Sequence, residues 1–141
     1  MSVEQNKEIA RRLVEETFNR GNLGIIDELL VPNFIEHEIL PAGIPSSREG
    51  FKQLVGMQLK AFPDTRATID DLIAEGDKVV IRMTHAGTQK GEFMGMPSSG
   101  KHVSITIIDI LRFDGGKIVE HWGLSDTMGM MQQLGVIPPQ R

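Results

Sequence analysis

The sequence predicts an α+β fold: a cone-shaped roll in which a strongly curved, mixed or antiparallel sheet wraps around N-terminal helices. Three observations predict it. Apolar residues recur at helical spacing as far as Phe62, the signature of amphipathic helices. From Asp64 onward the chain alternates and is rich in β-branched residues, the signature of strands. Asp114-Gly115-Gly116 then joins the last two strands as a tight hairpin. Helices first and a meandering sheet afterwards put the helices on one face of the sheet. The open mouth of such a cone is a natural pocket for a small apolar molecule.

Each element has its own signal. Ser2-x-x-Gln5 has the form of a capping box, and Ile9, Ala10, Leu13, Val14, Thr17 and Phe18 follow at helical spacing until Gly21. This predicts a helix over 3–20. Residues 23–30 read as a second, short helix with Ile25, Ile26, Leu29 and Leu30 facing the core, ended by Pro32. A short strand is expected at 34–39. Ser46-x-x-Glu49 opens a third helix that carries Phe51, Leu54, Val55, Leu59 and Phe62 and stops at Pro63. Strands are expected at 65–75, 78–89, 101–113 and 117–125, with a loop from Gly91 to Gly100. Asp126 caps a final short helix carrying Met128, Met131 and Leu134, closed by Gly135.

Composition narrows the function. At 141 residues the chain is one domain by the usual span of roughly 100–200 residues. It is 40% hydrophobic and 24% charged, which excludes disordered, collagen-like and disulfide-scaffold classes. Cysteine is absent, which removes thiol nucleophiles and thiolate metal sites. The net charge of -4 is the wrong sign for a generic nucleic-acid surface. No apolar run reaches the ~18 residues of a membrane helix, and Met1 to Lys7 lacks the basic start and apolar run of a signal peptide. The expectation is a single cytoplasmic domain binding a small hydrophobic molecule, with neither nucleic acid nor membrane as partner.

Strand parity selects the candidate site. Along 103–113 one face carries Val103, Ile105, Ile107, Asp109, Leu111 and Phe113. That face is the more apolar and is expected inside, so Asp109 is a lone carboxylate among aliphatics. An ionised carboxylate buried without a partner costs several kcal/mol or more. A three-residue hairpin loop would pair Phe113 with Lys117 and set Asp109 opposite His121, where Cβ atoms lie about 4.5–5.5 Å apart. A two-residue loop would put the two on opposite faces. Such a carboxylate–imidazole pair in an apolar cavity suits general acid–base work; it is also how a structural pair satisfies two buried polar groups. His37, between Ile35 and Ile39, is the third inward candidate. Glu36 and Glu38 take the opposite parity and read as solvent-facing, while a reversed orientation of the strand would bring Glu36 inside; His102 reads as exposed, and parity does not orient His85. The four histidines show no metal-ligand spacing, and phosphate-loop and nucleophile-elbow motifs are missing. No metal and no cofactor are expected.

The segment Gly91-Glu92-Phe93-Met94-Gly95-Met96-Pro97-Ser98-Ser99-Gly100-Lys101 is similar to the Gly-Glu-Phe-x-Gly-x-Pro-x-x-Gly loop of the SnoaL-like polyketide cyclase family. Arg112 to Trp122 and the ending Asp126 … Gln133-Leu134-Gly135 extend the resemblance over nearly the whole chain. It implies the nuclear transport factor two-like cone, and homodimers or higher oligomers packed through the outer sheet face. It also implies an intramolecular aldol reaction that closes a ring of an anthracycline precursor without metal or cofactor. The family's acid–base aspartate falls two residues after the histidine matching His121, where this chain has Gly123. A cavity histidine of the cyclases matches Asp109, and histidine often stands where this chain has Gln89. Ketosteroid isomerase shares the cone and moves a proton next to a carbonyl with carboxyls tuned by an apolar cavity. Other relatives are hydroxylases, epoxide hydrolases or non-catalytic binders, and fold alone does not choose among them. The expected catalytic residues are Asp109, His121 and His37. The expected substrate contacts are Ile105, Ile107, Val119, Phe93, Met96 and Gln89.

Overall fold

Ser2 opens the first helix as its spacing predicts: its hydroxyl accepts from the Gln5 amide at 3.2 Å and the Gln5 side chain accepts from the Ser2 amide at 2.9 Å. The computed structural model describes residues 2–138. Helix α1 (Val3–Val14) buries Ala10, Leu13 and Val14, then widens into a π-helical segment, Glu15–Asn19, that buries Thr17 and Phe18. Gly21, with φ +69°, ends the run. Short α2 (Gly24–Leu29) leads directly into strand β1 (Leu30–Glu36), and α3 (Arg48–Ala61) follows. The rest is sheet: β2 (Arg66–Glu75), β3 (Lys78–Thr88), β4 (His102–Asp114) and β5 (Lys117–Ser125), then α4 (Thr127–Gln133).

The five strands lie in the order β1-β5-β4-β3-β2. β1 runs parallel to β5, and every other pair is antiparallel. The helices pack on the inner face, where Ile25, Ile26, Val79, Ile81 and Ile118 are at most 2% exposed. Each such side chain contributes about 1.5–3 kcal/mol by leaving water. A second cluster, with Ala61, Phe62, Phe93, Val103, Met130 and Leu134, closes the far end of the cone. There α4 buries Met130 while Met128 stays exposed.

Two expectations about the sheet are corrected. The last hairpin is a two-residue turn, Asp114 pairing with Lys117, with Gly115 and Gly116 both at positive φ. By itself that turn would put Asp109 and His121 on opposite faces. A bulge restores them: Phe113 pairs with Ile118, Arg112 with Glu120, and Val119 is skipped. The extra residue flips the parity of everything after it. His121 therefore sits opposite Leu111, and Gly123 sits opposite Asp109. The second correction concerns β1, whose inward residues are Phe34 and Glu36 while Ile35 is 47% and Ile39 is 96% exposed. The more apolar parity points outward because the sheet's outer face is itself rich in aliphatic side chains.

Candidate active site

His121 is 4% exposed on the inner face of β5. Its Nδ1 lies 2.7 and 2.8 Å from the two carboxylate oxygens of Glu36, and its Nε2 lies 2.9 Å from Asp109 Oδ1. Two neighbouring strands and a helix thus meet on this ring: β1 supplies Glu36, β4 supplies Asp109, and Phe51 of α3 packs edge-on at 5.7 Å. Burial works against the charged imidazole, but the hydrogen bonds and charges of Asp109 and Glu36 outweigh it and lift His121 to about 10. The ring is an imidazolium near neutral pH, with both N–H groups donated to carboxylates.

Glu38, just beyond β1, is half-buried beside this group. Burial pushes its carboxyl up to about 7, against the pull of the His121 charge and with the repulsion of Asp109 and Glu36. Its backbone N–H donates to Glu36 at 2.9 Å. Gly123 makes the room for these acids. A Cβ there would come within 2.5 Å of Glu38 Oε1, 2.6 Å of Asp109 Oδ1 and 2.9 Å of His121 Cε1. Donor atoms of Glu38, Asp109 and His121 lie within 4.8 Å of one another.

Above it opens a chamber of about 360 Å³. Leu54, Phe62, Phe93, Ile105 and Ile107 give it an apolar wall, and Met94 and Leu124 stand at the same cavity. Asp109 and His121 line a narrow recess of about 40 Å³ behind it, space for little more than one water. Glu38 and His85 line both spaces. His85 packs edge-on against Phe18 at 4.4 Å, and burial pushes it down to about 4, Asp109 pulling the other way. It is a neutral ring in the chamber wall.

The structure brings together Asp109, His121, Ile105, Ile107 and Phe93 as expected. It does not bring in His37, which lies on the outer face, stacked on Trp122 at 4.8 Å and bonded to Glu120. Val119 is the bulge residue and lines no cavity among those described. Met96 packs beneath the 91–100 loop, and Met94 takes the place at the chamber. Gln89 is fully buried and holds that loop instead of a ligand: it donates to the Met96 carbonyl at 3.0 Å and accepts from the Ser99 hydroxyl at 2.7 Å. Sequence reasoning missed Glu36 and Glu38 as inward residues; the signal available was their alternation with Phe34, whose ring had to be buried.

A cone of this topology with a polar cluster under an apolar chamber invites comparison with known proteins. The model of the SnoaL-like polyketide cyclases matches residues 8–134. The chain belongs to the SnoaL-like polyketide cyclase family. It is 29% identical over 119 residues to the nogalonic acid methyl ester cyclase of Streptomyces nogalater, covering 84% of this chain and 89% of that one. It is 30% identical over 137 residues to the aklanonic acid methyl ester cyclase DauD of Streptomyces sp. (strain C5), covering 91% and 80%. Among solved structures, TsrD of Streptomyces laurentii superposes with a TM-score of 0.86 at 30% identity, covering 97% of this chain and 99% of that one. AclR of Streptomyces galilaeus, a candidate hydroxylase, superposes with a TM-score of 0.87 at 29% identity, covering 99% and 87%. The fold is therefore the cone of the SnoaL-like cyclases, and the described residues contain no helix long and apolar enough to cross a membrane.

Proposed function

We propose that this chain is a cofactor-independent cyclase acting on a small apolar carbonyl compound that carries an ester. Asp109 and Glu36 hold the His121 cation at its polar end. The observation that carries the reading is one ring, His121, clamped by Glu36 and Asp109 beneath an apolar chamber of about 360 Å³. Removing a proton from the carbon next to a carbonyl leaves negative charge on oxygen. A cation fixed in dry surroundings stabilises that charge without reorganising. The enolate carbon then attacks a second carbonyl of the same molecule, and the new alkoxide takes back a proton, so the product is an isomer of the substrate. The ester cyclase relatives support the substrate class.

The test incubates the protein with nogalonic or aklanonic acid methyl ester and follows the product by chromatography and mass spectrometry. A product of unchanged mass and new retention is expected. Asp109→Asn and His121→Gln should each lower turnover by on the order of 10²-fold; undiminished turnover in both removes the pair from the mechanism. The likeness to AclR favours a second reading, hydroxylation, which would make the product heavier by one oxygen. A simple binder would return the ligand unaltered while raising the melting temperature.

The working form in this reading is a homodimer joined through the outer sheet face. On that face Ile35, Ile73 and Ile108 are 47%, 60% and 45% exposed, with Trp122 beside them. An apolar surface shared by several strands suits a second copy of the same sheet.

A further inference from the structure

Resting on the cyclase reading, we propose that Glu38 is the general base of the chamber, taking the proton from carbon and returning it to the product oxygen. Three features of the site converge on it. Glu38 borders both the 360 Å³ chamber and the 40 Å³ recess, whereas Asp109 and His121 border only the recess. A bound molecule too large for the recess meets Glu38 first. The Asp109 oxygen is committed to the His121 N–H at 2.9 Å, while among the described residues no donor bonds the Glu38 carboxylate. Its lone pairs are therefore available to a carbon acid. Finally, the space it occupies exists only because residue 123 has no side chain, since a Cβ there would stand 2.5 Å from Glu38 Oε1.

The surrounding charges suit the role. Facing Glu38 are His121 from β5, Asp109 from β4, Glu36 from β1 and the neutral His85 from β3, while α3 contributes only uncharged Leu54 and Gln58. Burial above all, with the repulsion of Asp109 and Glu36 set against the pull of His121, brings this carboxyl near neutrality. A group that gains and loses its proton near the working pH serves as base in the first step and acid in the last. The balance is closed: the C–H bond breaks to Glu38, the carbon–carbon bond forms as the second carbonyl becomes an alkoxide, and the Glu38 proton moves to that alkoxide.

The test separates basicity from substrate choice by using nitrobenzisoxazole, a flat apolar probe that reports a desolvated base. Its ring C–H gives up a proton, the N–O bond breaks, and coloured cyanonitrophenolate appears. The wild-type protein should accelerate this elimination beyond free acetate, with a rate that rises through pH 7. Glu38→Gln should reduce it by on the order of 10²-fold, and Glu38→Asp, which keeps the acid but withdraws it, should retain an intermediate rate. In His37→Gln, a change on the outer face, the elimination and its pH dependence stay as in the wild type. An elimination no faster than with acetate, or one kept at the wild-type rate in Glu38→Gln, overturns the assignment. If elimination depends on Glu38 while both methyl esters stay unconverted, the cyclase reading fails and the base stands.

Discussion

Both nitrogens of His121 are engaged, and stability must follow its titration. The folded ring titrates at about 10 against an ordinary 6.5. A raised imidazole contributes stability that is complete below pH 6.5 and is lost as pH climbs towards 10. Glu38, raised from 4.5 to about 7, adds a loss of the same sign between those values. His85 behaves oppositely: lowered from 6.5 to about 4, it contributes stability present above pH 6.5 and lost as pH falls through 4. Urea unfolding from pH 5 to 10 should therefore show stability declining on the alkaline side. His121→Gln should remove most of that alkaline slope. At pH 6 the variant should be less stable by about 3–5 kcal/mol, the usual cost of stranding buried charge without its partner. A variant with wild-type stability and slope would show that the clamp carries no energy.

The loop over the chamber depends on one amide. Gln89 holds the Met96 carbonyl and Ser99 from beneath, so Gln89→Ala leaves buried polar groups unpaired at about 1–3 kcal/mol. Hydrogen exchange should accelerate across residues 91–100 and leave β4 protected; uniform protection would assign the loop's order to Phe93 and its apolar neighbours. The loop motif was plain in the sequence, but Gln89 as its internal strut was not, because an amide reads the same whether it bonds a ligand or backbone. Helix α1 was readable since its cap and apolar spacing are local, and α3 by its spacing, although its cap is Ser47, which accepts from the Gly50 amide, and not the expected Ser46. The inward face of β4 was readable too, as one parity is far more apolar. β1 failed that test, because Ile35 faces outward and Ile39 lies beyond the strand at the chamber, while Glu36 finds its cation on β5. The hairpin failed differently: an expected wide turn and an actual tight turn plus the Val119 bulge leave His121 on the same face. The contact with Asp109 was foreseen, but the register behind it was not, since a bulge answers to tertiary packing that no local pattern records.

The whole molecule presents an aliphatic outer face that a single chain leaves wet. Light scattering should give the mass of two chains, and Ile108→Arg, set in the middle of that face, should give one while leaving the chamber intact. A monomeric wild type would move the explanation of the exposed aliphatics elsewhere. The pairing of β1 with β5 has a consequence for biosynthesis. Glu36 and its imidazole partner stand 85 positions apart, joined by the longest-range pairing in the sheet. A nascent polypeptide carries its first two acids out of the ribosome well before the cation that neutralises them has been made. Stalled or clipped products therefore hold acids with nothing to answer them, and catalytic competence arrives in a single step when the final hairpin docks against the opening strand.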